Sequence, residues 1–391
     1  MKKKKAKVRE ALQLKSDPDE IRQQVITNMI DIISDFTIKN HMKIPIWRMN
    51  DPNVPTRIKR VIRSGLPNFD LISARTPMGN CGLPIGRQVE FSGPESSGKT
   101  SIVCQIAGSA QRRMGWNVVW LEHENKLDPF RASTLGLLGD NTLFLQPDCL
   151  EDTIEIIDKV MDGMPERNEL PDNMKAFGTI IAVDSVAAMP SRTELEGDMN
   201  DNNIGVFQRK MSQAQRRITN RLSKRNVTIL WINQNRAKLG FGSRAGGVTT
   251  YGGNALKYYC AQRWKMWAQK KDDKSIVIHI DNIKNQCGVR PFLKTQVVLN
   301  FDEGFDYVDS WADCMEGLGI ATRLKNSLVF SDVGKFAEEK MTLRNLKTRF
   351  EEDPSVFYEY EKITKDYMKN FNVSRFLKDG GKKDEGDSKE E

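Results

Sequence analysis

One short segment has the residue types and spacing that bind phosphate. Residues 93–100 read GPESSGKT, which fits the pattern G-x-x-x-x-G-K-[ST] at every required position. In this pattern backbone N–H groups curl around phosphate oxygens, the lysine reaches the β and γ phosphates, and the last hydroxyl can bind Mg²⁺. Arg87–Ser92 before it reads as a strand and Ser101–Arg113 after it as a helix, which is the setting the loop needs. The predicted nucleotide-binding residues of this segment are Gly93, Pro94, Glu95, Ser96, Ser97, Gly98, Lys99, Thr100 and Ser101.

Polar residues close three apolar stretches farther along the chain. Val118–Glu124 ends on acids, Thr179–Asp184 on a carboxylate and Val227–Gln234 on an amide. In an open α/β sheet, ligands bind outside the carboxyl ends of the strands, so these groups are expected to converge on the nucleotide. Asp184 and Thr100 are therefore the predicted magnesium ligands.

Hydrolysis of the nucleotide needs a base beside the attacking water. Glu122 and Glu124 are the carboxylates at a suitable strand end, and we favour Glu124. Gln234 is suited to hydrogen-bond the γ phosphate and to transmit its loss to the segment that follows. The predicted catalytic set from this reasoning is Lys99, Glu124 and Gln234.

Two polar, glycine-bearing segments, 196–205 and 235–253, are predicted to bind nucleic acid. The second follows Gln234 directly, and glycine with scattered cations and aromatic rings suits a nucleic-acid backbone. The first precedes a basic helix, so the two segments can flank one strand. A glycine-rich loop without a binding role is the alternative for 235–253. The cations predicted to bind the nucleic acid are Arg209, Arg216, Arg236, Lys238 and Arg244, and the aromatic residues of the second segment are Phe241 and Tyr251.

Composition narrows the class of protein. The 391 residues carry 60 Lys and Arg against 52 Asp and Glu, and the net charge of +8 is concentrated in a basic head, 2–9, opposite an acidic tail, 379–391. Both ends are expected to be disordered. The six cysteines form no C-x-x-C pair, no run approaches 18 apolar residues, and no apolar stretch follows the basic start. A cytoplasmic protein without a membrane segment is expected.

The coarse pattern predicts an α/β fold with a mostly parallel central sheet. Residues 17–36 read as an amphipathic helix, and the sequence leaves open whether it packs on its own domain or on a neighbouring subunit. The predicted organisation is a basic tail and oligomerisation helix in 1–60, an ATPase core in 61–300, a small α/β domain in 301–378 and an acidic tail in 379–391.

These motifs together resemble the RecA-type recombinases, over roughly residues 60–350. The resemblance rests on six segments in a fixed order: 93–100 (GPESSGKT), 127–129 (LDP), 183–188 (VDSVAA), 211–214 (MSQA), 232–234 (INQ) and 252–257 (GGNALK). It implies a RecA-like core that uses ATP and Mg²⁺ and forms a helical filament on single-stranded DNA. Such a filament pairs the strand with homologous duplex and exchanges strands, aided by mediator and single-strand-binding proteins. The differences from the family pattern fit a divergent, viral member. Such a protein would act in the cytoplasm of the host cell.

The resemblance also assigns residues. The nucleotide-binding residues that it adds are Asp128, within the LDP run, and Arg131, just after it. The family stacks an aromatic side chain on adenine just after this run, where the sequence here is Phe130-Arg131. Lys284 matches a lysine that reaches the ATP of a neighbouring subunit, whereas the second lysine of that pattern is Gln286 here. The two glycine-bearing segments become the DNA-binding loops. Their assigned residues, beyond the cations and Phe241, are Ile204, Gly205, Leu239, Gly252, Gly253 and Asn254.

Two other functions share parts of this pattern. A ring-forming helicase or motor with the same core would keep residues 93–100 and Asp184, but it is not expected to carry the segments 211–214 and 252–257. An assembly protein that uses ATP only to join subunits, without strand exchange, has no need of Glu124.

Overall fold

The fold is described from a computed structural model. It describes residues 17–42, 44, 46–51, 54–167, 169–170, 176–198, 205–237 and 248–370. The chain divides into two compact units, one ending at Arg57 and one beginning at Ile58. The basic head and the acidic tail lie outside the described residues.

The first unit contains one helix, α1 (Pro18–Lys39), among its described residues. Asp17 caps it by accepting a hydrogen bond from the backbone N–H of Asp19 at 2.9 Å, and proline occupies its first turn. Large apolar side chains of this helix are exposed: Ile26, Met29, Ile32, Ile33, Phe36 and Ile38.

The second unit is α/β. Its strands are β1 (Val61–Ile62), β2 (Ala74–Arg75), β3 (Cys81–Pro84), β4 (Gln88–Gly93), β5 (Asn117–Glu122), β6 (Thr142–Leu145), β7 (Thr179–Asp184), β8 (Val227–Ala237), β9 (Val248–Thr250), β10 (Gln262–Lys270), β11 (Ser275–Asn285), β12 (Lys294–Asn300), β13 (Gly304–Phe305), β14 (Ala321–Leu324), β15 (Ser327–Phe330) and β16 (Lys340–Thr342). Its helices are α2 (Pro67–Ile72), α3 (Lys99–Met114), α4 (Pro129–Thr134), α5 (Leu150–Gly163), α6 (Arg192–Glu196), α7 (Val206–Leu222), α8 (Ala255–Tyr259), α9 (Tyr307–Gly317), α10 (Leu343–Glu352) and α11 (Ser355–Asn370), with a 3₁₀ turn at Gly139–Asn141.

A large central sheet organises this unit. Its strand order is β13-β12-β11-β10-β4-β8-β7-β5-β6, and β9 pairs with β8. The pairs from β10 through β4, β8, β7 and β5 to β6 are parallel, whereas β11, β12 and β13 continue from β10 in antiparallel pairs. The predicted α/β class with a mostly parallel sheet is confirmed.

The central strands are near-continuous apolar runs because helices cover both faces of the parallel sheet. All six residues of β4 and of β7 are buried. One apolar cluster includes residues of α3 and the second includes residues of α5 and α7. Burying the strands on both faces leaves their carboxyl ends as the place where polar groups meet.

The C-terminal part adds a three-stranded antiparallel sheet in the order β14-β15-β16. Its apolar cluster centres on Trp311, which is 2% exposed and makes edge contacts with the rings of Phe350 and Tyr360. Leu71 of α2 belongs to the same cluster. The boundary predicted at residue 300 stays a prediction, because everything from Ile58 onward groups as one compact unit.

Helix α3 approaches the turn after α4 very closely. A Cβ atom added at Gly108 would lie 1.8 Å from the carbonyl oxygen of Gly136. Only glycine fits there without moving one of the two elements.

None of the helices within the described ranges combines the length and the apolar character that crossing a bilayer requires.

Asp70 should make the stability of this unit depend on pH. Its carboxylate is buried and accepts the backbone N–H of Ser64 at 3.0 and 3.2 Å, and burial raises the pKa of Asp70 to about 7. Between about pH 4 and about pH 7 the folded protein keeps a proton that the unfolded chain has lost, so the free energy of unfolding should fall with rising pH by up to about 1.4 kcal/mol per unit.

Asp70→Asn keeps an acceptor for Ser64 and does not titrate. Denaturant unfolding at several pH values in that range should therefore show a shallower decline for the variant than for the parent. Parallel profiles for the two proteins would contradict the assignment.

Candidate nucleotide site and nucleic-acid interface

Strand β4 runs directly into the phosphate loop. Gly93 ends the strand, and Gly98 caps α3 with a φ of 81°, in the left-handed region that favours glycine. A Cβ at Gly93 would lie 2.4 Å from the carbonyl oxygen of Met266, so the loop is packed tightly against β10. The sequence thus places a close-fitting backbone turn at the N-terminus of a helix, where anions bind.

The amine of Lys99 lies inside this turn. Lys99 Nζ donates to the carbonyl oxygens of Gly93 at 3.2 Å and Pro94 at 2.5 Å, and lies 3.3 Å from Ser97 Oγ. The side chain is 8% exposed, and burial lowers the pKa of its ammonium. A cation held by backbone carbonyls at the centre of the loop can stabilise phosphate charge.

The two predicted magnesium ligands meet. Thr100 Oγ1 donates to Asp184 Oδ2 at 2.7 Å, across the gap between α3 and the end of β7. Asp184 is 5% exposed, and burial raises its pKa to about 7. A hydroxyl and a carboxylate are hard oxygen donors that suit Mg²⁺ together with phosphate oxygens and water. The described residues contain no cluster of three or more His, Cys, Asp or Glu side chains that suits a metal.

Glu124 and Gln234 also meet. Gln234 Nε2 donates to Glu124 Oε1 at 2.9 Å, and Ser185 Oγ donates to the same oxygen. Lys126 Nζ lies 3.3 Å from Glu124 Oε2. Burial acts to raise the pKa of Glu124, but the hydrogen bonds from Ser185, Lys126 and Gln234 outweigh it and hold the pKa below its usual value. An ionised carboxylate beside the sensor amide can accept a proton from water.

Glu122 has a different role. It is 2% exposed, and its carboxylate accepts the Trp120 Nε1–H at 2.9 Å and the backbone N–H groups of Glu124 and Lys126 at 3.2 and 3.3 Å. These bonds shape the turn that carries Glu124. The choice of Glu124 over Glu122 as the base stays a prediction.

Asp128 and Arg131 lie at one helix end. Asp128 caps α4 by accepting the backbone N–H of Arg131 at 2.8 Å. The Arg131 guanidinium donates to the carbonyl oxygen of Phe301 and lies 6.0 Å from the centre of that ring. Phe130 is 82% exposed. Which of these groups contacts a base stays a prediction, as do the roles of Ser101 and of Glu95, whose carboxylate lies 3.8 Å from Lys126 Nζ.

The sequence of residues 58–306 matches the family model of the RecA N-terminal domain. Protein RecA of Laribacter hongkongensis (strain HLHK9) is 36% identical over 274 residues, which cover 68% of this chain and 71% of the relative. Protein RecA of Sulfurovum sp. (strain NBC37-1) is 34% identical over 298 residues, which cover 74% and 80% of the two chains. The chain belongs to the RecA family. The resemblance drawn from the sequence motifs is thereby confirmed.

The two segments that the RecA resemblance assigns to DNA end beside each other. Gly205 caps α7 with a φ of 81°, and Gly252 and Gly253, also with positive φ, precede α8. The rings of Phe207 and Tyr251 lie 5.2 Å apart, and a Cβ at Gly253 would lie 2.9 Å from Gln208 Cγ. The C-terminal ends of the two segments therefore lie next to each other.

Cations of α7 differ in their surroundings. Arg209 and Arg216 are exposed, whereas Lys210 and Arg217 form ion pairs with acids of α5, Glu151 and Asp158. Asn254 accepts a hydrogen bond from Lys257 Nζ at 3.1 Å at the start of α8. The backbone of Arg236 pairs with Thr249 between β8 and β9. Other assigned residues lie outside the described part of the chain: Ile204, Lys238, Leu239, Phe241 and Arg244.

Lys284 binds within its own chain. Its Nζ donates to the carbonyl oxygens of Lys257 at 2.8 Å and Tyr258 at 2.9 Å, at the C-terminal end of α8. This amine is thus placed beside an exposed helix end, since the Tyr258 side chain is 74% exposed. A role toward a neighbouring subunit stays a prediction.

Sequence reasoning missed two groups that touch Glu124. Ser185 lies inside the VDSVAA segment, but only Asp184 was given a role there. Lys126 follows the acids by two positions, and no pattern marked it. Lys126 lies only two positions after Glu124, and this proximity in sequence could have indicated the ion pair between them.

Replacing Lys99 or Glu124 should separate binding from turnover. Lys99→Ala removes phosphate charge stabilisation and should lower ATP turnover by about 100-fold or more with the fold intact. Glu124→Gln keeps the shape and loses the base, so ATP should still bind while turnover falls by about 100-fold or more.

Steady-state hydrolysis, fluorescent-nucleotide binding and thermal melts would measure both effects. Glu122→Gln is the matched control, and it should act mainly on stability. If Glu122→Gln stops hydrolysis in a folded protein and Glu124→Gln does not, the base has been assigned to the wrong carboxylate.

Proposed function

We propose that this chain is a DNA-dependent ATPase and recombinase that forms helical filaments on single-stranded DNA and exchanges strands with a homologous duplex. It would act in the cytoplasm of a bacterium or of a virus's host. The observation that carries the proposal is the position of Gln234. Its side chain contacts Glu124 at 2.9 Å, and its carbonyl oxygen accepts the backbone N–H of Tyr251 at 3.3 Å. Gln234 thus contacts both the carboxylate proposed to act in hydrolysis and Tyr251, near the end of the second proposed DNA-binding segment.

The roles of the site residues follow from their chemistry. Backbone N–H groups of residues 93–100 and the Lys99 ammonium would hold the phosphates, and Glu124 would orient and deprotonate the attacking water. Thr100 and Asp184 would hold Mg²⁺, which neutralises phosphate charge when bound. Loss of the γ phosphate would remove a partner of Gln234, so that the order of the segment after β8 depends on the nucleotide.

Filament formation is supported by the surface of α1. Six of its large apolar side chains are 40–72% exposed, from Ile26 at 40% to Ile38 at 72%. An apolar stripe of that kind on a surface helix is typical of a contact with another protein. We propose that α1 packs on a neighbouring copy and that Lys284, at the end of α8, acts on the ATP of a neighbour. The family assignment favours both.

Two alternatives are distinguished by assembly. A motor of the helicase type would assemble into closed rings. An ATP-gated assembly protein would join its own subunits together without exchanging DNA strands. Electron microscopy with single-stranded DNA and a slowly hydrolysed ATP analogue should show helical filaments, and a strand-exchange assay on homologous DNA should yield joint molecules. Closed rings would support the motor, and filaments without joint molecules would support the assembly protein.

Two neighbouring arginines of α7 test the contact with DNA. Arg216 is exposed and is proposed to contact phosphate, whereas Arg217 lies in an ion pair with Asp158 of α5. Because each phosphate contact releases counterions, Arg216→Ala should lower the slope of log K against log salt by about one unit. Arg217→Ala is the matched control and should leave the slope unchanged.

Fluorescence anisotropy with labelled oligonucleotides of two sequences, over a range of salt, measures these slopes. Affinity should depend little on sequence. Equal slopes for the parent and Arg216→Ala would place the DNA elsewhere.

A further inference from the structure

A buried carboxylate lies in the middle of the central sheet, three residues before the phosphate loop. Glu90 of β4 is 0% exposed, between Val89 and Phe91, which are also fully buried. It precedes Gly93 by three positions in the same strand. Removing a carboxylate from water is unfavourable unless its oxygens find strong partners.

Those partners come from the two strands that flank β4. Arg263 of β10 lies directly beside Glu90 in the parallel pairing, and its Nε donates to Glu90 Oε2 in an ion pair. Asn233 of β8, also 0% exposed, donates its Nδ2–H to Glu90 Oε1 at 2.9 Å. Glu90 therefore joins β10, β4 and β8 through side chains, in addition to the backbone ladder.

The Asn233 amide forms hydrogen bonds through both of its N–H donors and through its oxygen. Its Nδ2 donates to the carbonyl oxygen of Tyr251 at 3.0 Å as well as to Glu90, and its Oδ1 accepts the backbone N–H of Gln234 at 2.9 Å. An amide offers two N–H donors on one side and one oxygen on the other. The Glu90 carboxylate can accept hydrogen bonds but cannot donate them. It therefore requires the N–H side of the Asn233 amide to face it, which fixes the orientation of the amide.

Arg263 extends the same connection. Its Nη2 lies 3.5 Å from Thr250 Oγ1, and Thr250 pairs with Asn235 between β9 and β8. Residues 250–251, which pair with the end of β8, are thus connected to Glu90 twice. Tyr251 is connected through Asn233, and Thr250 is connected through Arg263. Gln234 in turn donates to Glu124.

A buried ion pair is a poor source of net stability, because desolvation of both charges offsets their attraction. The contacts of Glu90 instead provide orientation. We propose that Glu90 is a positioning residue: its carboxylate fixes the Asn233 amide, which holds the end of β8 so that Gln234 meets Glu124, and this arrangement sets how far DNA raises ATP turnover. The inference rests on the proposed function.

Two double variants separate orientation from stability. In Glu90→Gln/Arg263→Met both charges are removed and an acceptor for Asn233 is kept. In Glu90→Met/Arg263→Met both charges are removed and the acceptor is lost. The two proteins differ only in the polarity of one side chain of similar size, and neither leaves a buried charge unpaired.

We expect both double variants to melt cooperatively and to bind a fluorescent ATP analogue within about threefold of the parent. With single-stranded DNA, Glu90→Gln/Arg263→Met should keep the parent's ratio of DNA-stimulated to DNA-free turnover within about threefold, whereas Glu90→Met/Arg263→Met should lose about tenfold or more of it. A merely structural role would lower the melting temperature and change both turnover rates together.

Asn233→Leu provides an independent test, because it removes the amide and leaves the ion pair. It should lower the same ratio, and combining it with Glu90→Met/Arg263→Met should give no further loss, since both act on one contact. Asp281→Asn is the control: it breaks the ion pair with Lys294, 3.3 Å across β11 and β12, and should leave the ratio unchanged.

The possible failures are distinct. If the parent protein shows no stimulation by DNA, the proposed function fails. If the parent is stimulated and the two double variants are stimulated equally, the function stands and the role of Glu90 is refuted. If neither double variant folds, Asn233→Leu decides: full stimulation refutes the role, and its loss at an unchanged melting temperature supports it.

Discussion

The parallel register of four buried strands fixes where the chemistry of this protein can take place. In that register Gly93 at the end of β4 lies beside Gln234 of β8, and Glu122 at the end of β5 lies beside Asp184 of β7. A shift of one residue in either pairing would turn every side chain to the opposite face of the sheet. The phosphate loop and the residues predicted to bind the metal and to sense the nucleotide therefore depend on this pairing.

Much of this arrangement could be predicted because the signals are local. The glycine-rich turn between a strand and a helix can be recognised from the spacing of its glycines and lysine. Asp184 and Gln234 can be recognised because each ends an apolar run. The rule that ligands bind at the carboxyl ends of parallel strands then brings these groups together without knowledge of the structure. The contacts between Thr100 and Asp184 and between Gln234 and Glu124 are the result.

Other contacts join residues that no local pattern connects. Glu90 and Arg263 are 173 positions apart, and within its own strand Glu90 looks like a polar interruption of an apolar run. Its significance comes from the order of the strands, in which β10 and β8 flank β4. That order is a property of the whole sheet. The partner of α1 could not be predicted from the sequence, because the spacing of apolar residues indicates that a helix face is covered but not which surface covers it.

The close approach of Gly108 to Gly136 bears on how freely this site can evolve. Helix α3 starts at Lys99, and the turn at Gly136 follows α4, which Asp128 caps. With no space at Gly108 for even a methyl group, helix α3 and the turn after α4 keep a fixed separation at this point. A larger residue at position 108 would push the helix that begins in the phosphate loop away from that turn. Phe130 and Arg131, one of which is predicted to contact the nucleotide base, lie outside this contact, so they can vary without changing that separation.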